Sequence, residues 1–226
     1  MPTKGSTWVY DAGSPRAVVS EFAPRFPETR NDYSYGLAAE GAGRYFSPPT
    51  PGAANGSSPI TGVVSQVEFS LPHGFYDAPF DLTLSSATAD STIRYTADGS
   101  EPTSVSGFVY IAPIRVAQSM IVRAAAFSPN SLPSRAETRT YLFPAAVFEQ
   151  PSAPPGFPGV WGSSKITAAD YAMDPRVTDD PGYTDRLRPG LMSLPALSLV
   201  MPVDDWFSAA RGIYSNGQRE GIAWER

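Results

Sequence analysis

The chain has 226 residues with 42% hydrophobic side chains, enough for one large domain or two small ones and for at least one buried core. Only 17% of residues are charged, the net charge is −5 and the pI is near 4.9, so no basic patch is available for nucleic acid or for an anionic membrane. Cysteine is absent and His73 is the single histidine, which excludes a disulfide framework, a thiolate zinc site and a multi-histidine metal centre.

No apolar run reaches the roughly 18 residues that span a bilayer. Met1–Gly5 is not followed by the apolar stretch of a signal peptide, so an export signal, if the protein carries one, is expected upstream. With 24 prolines and 19 glycines, the chain favours short strands, turns and linkers over long helices. Thr7–Tyr10 and Ala17–Phe22 are predicted strands, separated by the turn cluster Asp11-Ala12-Gly13-Ser14-Pro15. There are too few strands in residues 6–47 to close a sandwich alone. Residues 48–62 have the composition of a linker, and Asn55-Gly56-Ser57 within them matches a glycosylation sequon, a tripeptide that usually occurs by chance.

Residues 66–143 are the best-defined unit. Phe80–Leu84 and Ile93–Thr96 alternate apolar and polar residues, Asp98-Gly99 supplies a hairpin turn, and Met120–Phe127 and Thr138–Phe143 are further strands. Short strands at this spacing indicate a small antiparallel sandwich. Residues 144–165 are again rich in Pro and Gly. Beyond them, Thr167–Met173 and Asp179–Leu187 are expected as short helices, the second with an Asp cap, and Leu194–Val200 as a strand. Asp204 is expected to cap a turn holding Trp206 and Phe207, and Trp224–Arg226 to lie in a strand.

Three resemblances follow one another along the chain. Phe26-Pro27, Asp32–Gly36, Tyr45-Phe46 and Pro49–Asn55 resemble the closing part of a bacterial lamin-tail domain, which implies an immunoglobulin-like sandwich whose early strands are missing. Gly74–Tyr76, Ile93–Thr96, Asp98–Thr103, Tyr110, Pro113-Ile114 and Arg123-Ala124 resemble the C-terminal module of chitobiases and β-hexosaminidases, with Tyr-Thr-x-Asp-Gly-Ser-x-Pro-Thr as its signature. That resemblance implies a module that accompanies a catalytic domain and carries no chemistry itself. Asp170–Pro175, Leu194–Val200, Gly212–Tyr214 and Trp224–Arg226 are similar to the opening segment of CotH-family proteins, which implies the start of an atypical kinase-like domain.

The signature residues Tyr95, Asp98, Gly99, Ser100 and Tyr110 have two readings, ligand contact or structure. Asp-Gly suits a type I′ turn, and Ser100 and Thr103 can pin such a loop to its own backbone. Phe75, Tyr76, Tyr95, Phe108 and Tyr110 can stack on sugar rings, but aromatics more often fill a sandwich core. A hydrolase triad around His73 lacks a Gly-x-Ser-x-Gly elbow. Asp179-Asp180 and Asp204-Asp205 suit helix capping at least as well as a divalent cation. No Gly-rich phosphate loop follows residue 166 and no lysine follows Lys165, so no kinase residue is carried over.

The chain is therefore expected to be mainly β: immunoglobulin-like antiparallel sandwiches, Pro/Gly-rich linkers and a short α+β C-terminal segment. The expected divisions are 1–56 (end of a lamin-tail-like domain), 57–65 (linker), 66–143 (chitobiase-type sandwich), 144–165 (linker) and 166–226 (truncated CotH-like segment, poorly packed without its sheet partners). The expected role is non-catalytic spacing and recognition in a larger bacterial surface or secreted protein. Its partners would be neighbouring domains and an extracellular polysaccharide or cell-surface protein, without nucleic acid and without a membrane span. No cofactor is expected in this chain, ATP and a divalent metal belonging to a downstream domain. The alternative role is a carbohydrate-binding accessory module.

Overall fold

Short runs of β-branched and aromatic residues broken by Pro and Gly leave few places for a helix, and the longest helix among the described residues, Thr184–Ser193, has ten residues. A computed structural model describes residues 7–22, 26–161 and 166–217, and the chain is mainly β. It divides into two units, Met1–Val64 with Ser128–Pro133, and Ser65–Phe127 with Ser134–Arg226.

In the first unit, β1 (Thr7–Tyr10) and β2 (Val18–Phe22) pair antiparallel around a turn in which the Asp11 carboxylate accepts from the Gly13 and Ala17 amides. β3 (Ser34–Leu37) and β4 (Gly43–Phe46) form a second hairpin that sets Tyr35 opposite Tyr45. Their rings meet edge to face at 4.9 Å, and Phe22 joins Tyr35 at 5.6 Å and Phe26 at 5.2 Å. The buried Tyr45 hydroxyl donates to Glu28 O at 2.9 Å. Residues 48–62 run back along β4: the Tyr45 amide donates to Ile60 O, and the Ser58 hydroxyl donates to Tyr45 O. Asn55 has both ends of its amide engaged, donating to Leu37 O and accepting from the Thr50 hydroxyl, the pattern of a structural asparagine. β5 (Gly62–Val63) pairs in parallel with Ser131–Leu132, which is β14 in chain order.

The second unit holds the sandwich. β6 (Val67–Phe69) leads to β7 (Gly74–Phe75), then β8 (Phe80–Leu82) and β9 (Leu84–Ser86) follow with only Thr83 between them. The alternation predicted for Phe80–Leu84 is present, but the strand changes partner at Thr83, since β8 pairs with β12 (Ile114–Val116) and β9 with β6. Thr83 holds that switch by exchanging hydrogen bonds with Ser70, its amide to Ser70 Oγ and its carbonyl accepting from the Ser70 amide. β10 (Thr92–Thr96), β11 (Phe108–Val109), β13 (Met120–Phe127) and β15 (Glu137–Leu142) join β7 in a five-stranded sheet of order β11-β10-β13-β15-β7. The sheet is not wholly antiparallel, because β7 pairs with β15 in parallel.

Leu82, Leu84, Val67, Ile114 and Val116 from one layer and Ile93, Val122, Ala124, Ala126 and Tyr141 from the other are buried and form the core. Tyr141 is fully enclosed, its ring edge-on to Phe80 at 5.2 Å and to Tyr76 at 5.7 Å, and its hydroxyl donates to Leu71 O at 3.1 Å. In β13 three successive alanines, Ala124, Ala125 and Ala126, are all buried, as expected of a central strand covered on both faces.

The C-terminal part departs from expectation. Thr167-Ala168 is a strand, β17, paired with β16 (Val160–Trp161), where a helix was expected over 167–173. Backbone pairing with Val160–Trp161 overrides a weak local preference. α1 (Pro144–Phe148) falls in the stretch read as linker, and α2 (Pro175–Thr178) begins at Pro175 with Asp174 as its side-chain cap. α3 (Thr184–Ser193) starts later than expected, because Asp180 spends its carboxylate on the Gly182 amide within the preceding turn. α4 (Val203–Phe207) has Pro202, not Asp204, at its N-cap position. Leu194–Val200 forms neither strand nor helix and has no sheet partner among the described residues, so it is not the strand expected. The strand expected at Trp224–Arg226 lies outside the described residues.

This part is also better packed than expected. Phe157, Trp161, Tyr171, Phe207 and Tyr214 form a ring cluster with centroid separations of 5.3 to 6.3 Å. The Trp161 indole donates to the Tyr171 hydroxyl, which donates to Pro158 O, both at 3.0 Å. Buried Ser215 and Asn216 donate to Phe207 O and to Ser208 O and Gly212 O, closing the chain beneath the cluster.

Candidate functional site: a strapped groove on the outer sheet face

Strand alternation divides β15 between two surfaces. Tyr141 points into the core, so Thr138, Thr140 and Leu142 face the other way. Register places Leu142 beside Phe75 of β7 and Thr138 beside Arg123 of β13. Together they make an outer face with an apolar end, Phe75 and Leu142, and a polar end, Thr138, Thr140 and Arg123. Residues 196–200 cross this face and border a cavity of about 560 Å³, lined also by His73, Gly74, Ala196, Leu197, Ser198 and Val200. Such a volume lies in the usual range for small-ligand sites. One side-chain bond ties the crossing segment down, between the Ser198 and Thr140 hydroxyls at 2.7 Å. No backbone hydrogen bond engages residues 194–201 among the described residues.

The five residues singled out in the sequence do not line this groove. Asp98, Gly99 and Ser100 begin the connection from β10 to β11, and the Asp98 carboxylate accepts from the Ser100 amide at 3.0 Å and hydroxyl at 2.6 Å. Those two bonds, the hydroxyl first, hold the Asp98 carboxyl below the usual carboxylate range. The turn is not type I′: only Gly99, at φ +83°, has positive φ, and Asp98 does not. The physical reason is length, since β10 and β11 are separated by residues 97–107, too many for a two-residue hairpin. Thr96 Oγ1 donates to Ser100 O at 2.5 Å, and the Thr103 side chain bonds Ser106, so the loop is pinned by its own residues.

Arg123 connects loop and groove. Its Nη1 donates to Gly99 O at 2.8 Å and its Nη2 lies 3.6 Å from Glu101 Oε2. Its Nε is shielded from solvent and has no partner among the described residues. Tyr95 packs against Phe108 with centroids 5.5 Å apart, at the β11 edge where Phe108, Val109 and Ile111 are exposed. The Tyr110 amide donates to Ile93 O, extending the β10–β11 connection.

His73 is exposed at the groove rim, and Ser198 lies in the opposing strap, but among the described residues no carboxylate lines the cavity to orient an imidazole. The acidic pairs are used locally: Asp179 accepts from the Thr178 hydroxyl, Asp180 from the Gly182 amide, and Asp204 and Asp205 face Arg211 at 3.5 and 3.2 Å. Sequence reasoning did not bring Thr138, Thr140, Leu142 and the 196–200 strap together. Alternation could have put the three β15 residues on one face opposite Tyr141, but it could not have shown which distant segment crosses them.

Against known proteins, no curated protein and no solved structure matches the chain. Residues 71–138, which contain the Asp98–Thr103 loop and five of the groove residues (His73, Gly74, Phe75, Arg123 and Thr138), match the family model of the chitobiase/β-hexosaminidase C-terminal domain, an accessory, non-catalytic β-sandwich found in carbohydrate-active proteins.

Proposed function

We propose that this chain is a non-catalytic recognition segment that holds an extracellular polysaccharide in the strapped groove of its chitobiase-type sandwich. The observation that carries the reading is the composition of the groove inside a module of that family: an aromatic ring, Phe75, beside Leu142 for the apolar face of a sugar, and Thr138, Thr140 and Arg123 next to them for its hydroxyls. The exposed Phe108 beside Tyr95 offers a second stacking surface at the sheet edge.

The remainder of the proposal rests on the two outer resemblances. Residues 1–56 close a lamin-tail-like domain, 57–65 and 144–165 act as linkers around the sandwich at 66–143, and 166–226 open a CotH-like domain. On this reading the protein works outside the cell or on its surface, with neighbouring domains of the same polypeptide as partners. ATP and a divalent metal belong to a kinase-like domain further along, and no residue of this chain is assigned to either. Retention on insoluble glycans tests the binding role. The protein should be held back on at least one member of a panel, and Phe75→Ala should release it while leaving the circular dichroism spectrum intact. Passage through the whole panel would refute the reading.

A further inference from the structure

The charge of the groove runs against the charge of the protein. The chain carries a net −5, yet the described side chains lining the cavity include one guanidinium, one imidazole, three hydroxyls and no carboxylate. The guanidinium is that of Arg123, whose side chain is only 18% exposed. Its acidic partner, Glu101, stands 3.6 Å from Nη2, is not part of the groove lining and is itself 68% exposed, so solvent weakens that pair. The Nη1 bond to Gly99 O fixes the guanidinium plane, and Nε remains shielded and without an acceptor. A buried N–H of a charged group left without a partner is costly.

A fixed guanidinium whose acidic partner is exposed and screened, in a groove with no acid among its described lining residues, favours an anion over a neutral ligand and repels a cation. Phe75 and Leu142 at the other end suit the apolar face of a sugar ring. Taking the glycan-binding reading as its basis, we infer that the groove is a site for an acidic sugar residue, its carboxylate or sulfate ester on Arg123 and its ring over Phe75.

The test uses the full chain and three probes of similar length: oligogalacturonides, a chondroitin sulfate oligosaccharide and chitohexaose, with oligoglutamate as a non-sugar anion. Affinities are measured by titration calorimetry at low and moderate salt. The inference expects binding of a galacturonide or of the sulfated oligosaccharide, weakening with salt, and at least about tenfold weaker binding of chitohexaose, as for loss of one charge-assisted contact. Because the chondroitin probe carries uronate carboxylates as well as sulfate esters, its desulfated form tells the two apart: binding kept on desulfation assigns the contact to a carboxylate, and binding lost assigns it to the sulfate.

Arg123→Met should lose about ten- to a hundredfold in affinity for the acidic sugar. Because Arg123 also holds Gly99 O, Thr138→Asp is the second variant: it sets a carboxylate beside Arg123 in register without touching the loop, and should cause a similar loss. Equal binding of acidic and neutral oligosaccharides, unaffected by Thr138→Asp, would overturn the acidic preference and leave the glycan groove standing. Binding of oligoglutamate as tightly as the sugars would overturn the assignment to a sugar, and binding of none of the glycans would overturn both readings.

Discussion

Tyr141 offers the sharpest test of the core as described. The side chain is fully buried, with Phe80 and Tyr76 packed edge-on against its ring and one hydrogen bond from its hydroxyl to Leu71 O. Tyr141→Phe keeps the ring and deletes only that bond. The expected loss is about 1 kcal/mol, with up to about 1 more if the Leu71 carbonyl finds no water. Tyr141→Ala removes the ring as well and leaves a cavity between the layers, for an expected loss of about 3–5 kcal/mol. Urea unfolding of the wild type and both variants measures the two numbers directly. The ratio matters more than either value, since reference-state effects enter both. If Tyr141→Phe costs as much as Tyr141→Ala, the hydroxyl and not the ring anchors the layers. If Tyr141→Ala costs under about 1 kcal/mol, the residue is not enclosed and the packing described here is wrong.

Burial pushes the Tyr141 phenol well above its ordinary value, helped by Tyr76 and opposed by Arg139, and burial raises Tyr76 as well. The folded state thus favours the neutral phenol, so this contribution is complete below the ordinary value of 10.0 and is lost as pH rises beyond it. An alkaline unfolding limb should begin above pH 10, and Tyr141→Phe should flatten it when melting temperature is followed against pH. Asp98 has the opposite sign: its lowered carboxyl pKa contributes stability above 3.8, lost as pH falls through the folded value, so Asp98→Asn should remove part of the acid limb of the same profile. The strap should be the first segment cut by a protease of apolar specificity. Its backbone has no backbone hydrogen bond among the described residues, and Leu197 is 85% exposed, whereas Leu194 precedes a proline. Brief chymotrypsin treatment should therefore give a primary break after Leu197 by mass spectrometry. First cleavage in the equally exposed Val105–Ile111 region would contradict that reading of the strap.

The sandwich was legible in the sequence because its strands carry period-two alternation bounded by turn residues. Ile93–Thr96 and Met120–Phe127 fall wholly on strands, as do Phe80–Leu84 apart from Thr83 and Thr138–Phe143 apart from its last residue. What the pattern could not convey was partner choice. Nothing in Phe80–Leu84 announces that the ladder changes at Thr83, since side-chain alternation continues through the switch. The Asp98-Gly99 dipeptide pointed to a tight hairpin, but a turn signal is local, and the return strand lies at Phe108–Val109 after a loop closed by Thr96, Ser100, Thr103 and Ser106. In the C-terminal part, Leu194–Val200 has the composition of a strand. A strand exists only where a neighbour supplies its hydrogen bonds, and here the segment lies flat across a sheet face instead. The groove was hidden for the same reason, since it is made by residues 73–75, 123, 138–142 and 196–200, which only tertiary structure assembles.

The central claim is that the groove between the outer sheet face and the strap recognises a glycan. Quantitative binding of the intact protein to a panel of acidic and neutral oligosaccharides, wild type beside Phe75→Ala, tests it most directly. The account expects saturable binding to at least one acidic oligosaccharide, abolished or strongly weakened by the substitution. Failure to bind any member of the panel, or binding that Phe75→Ala leaves unchanged, would contradict it.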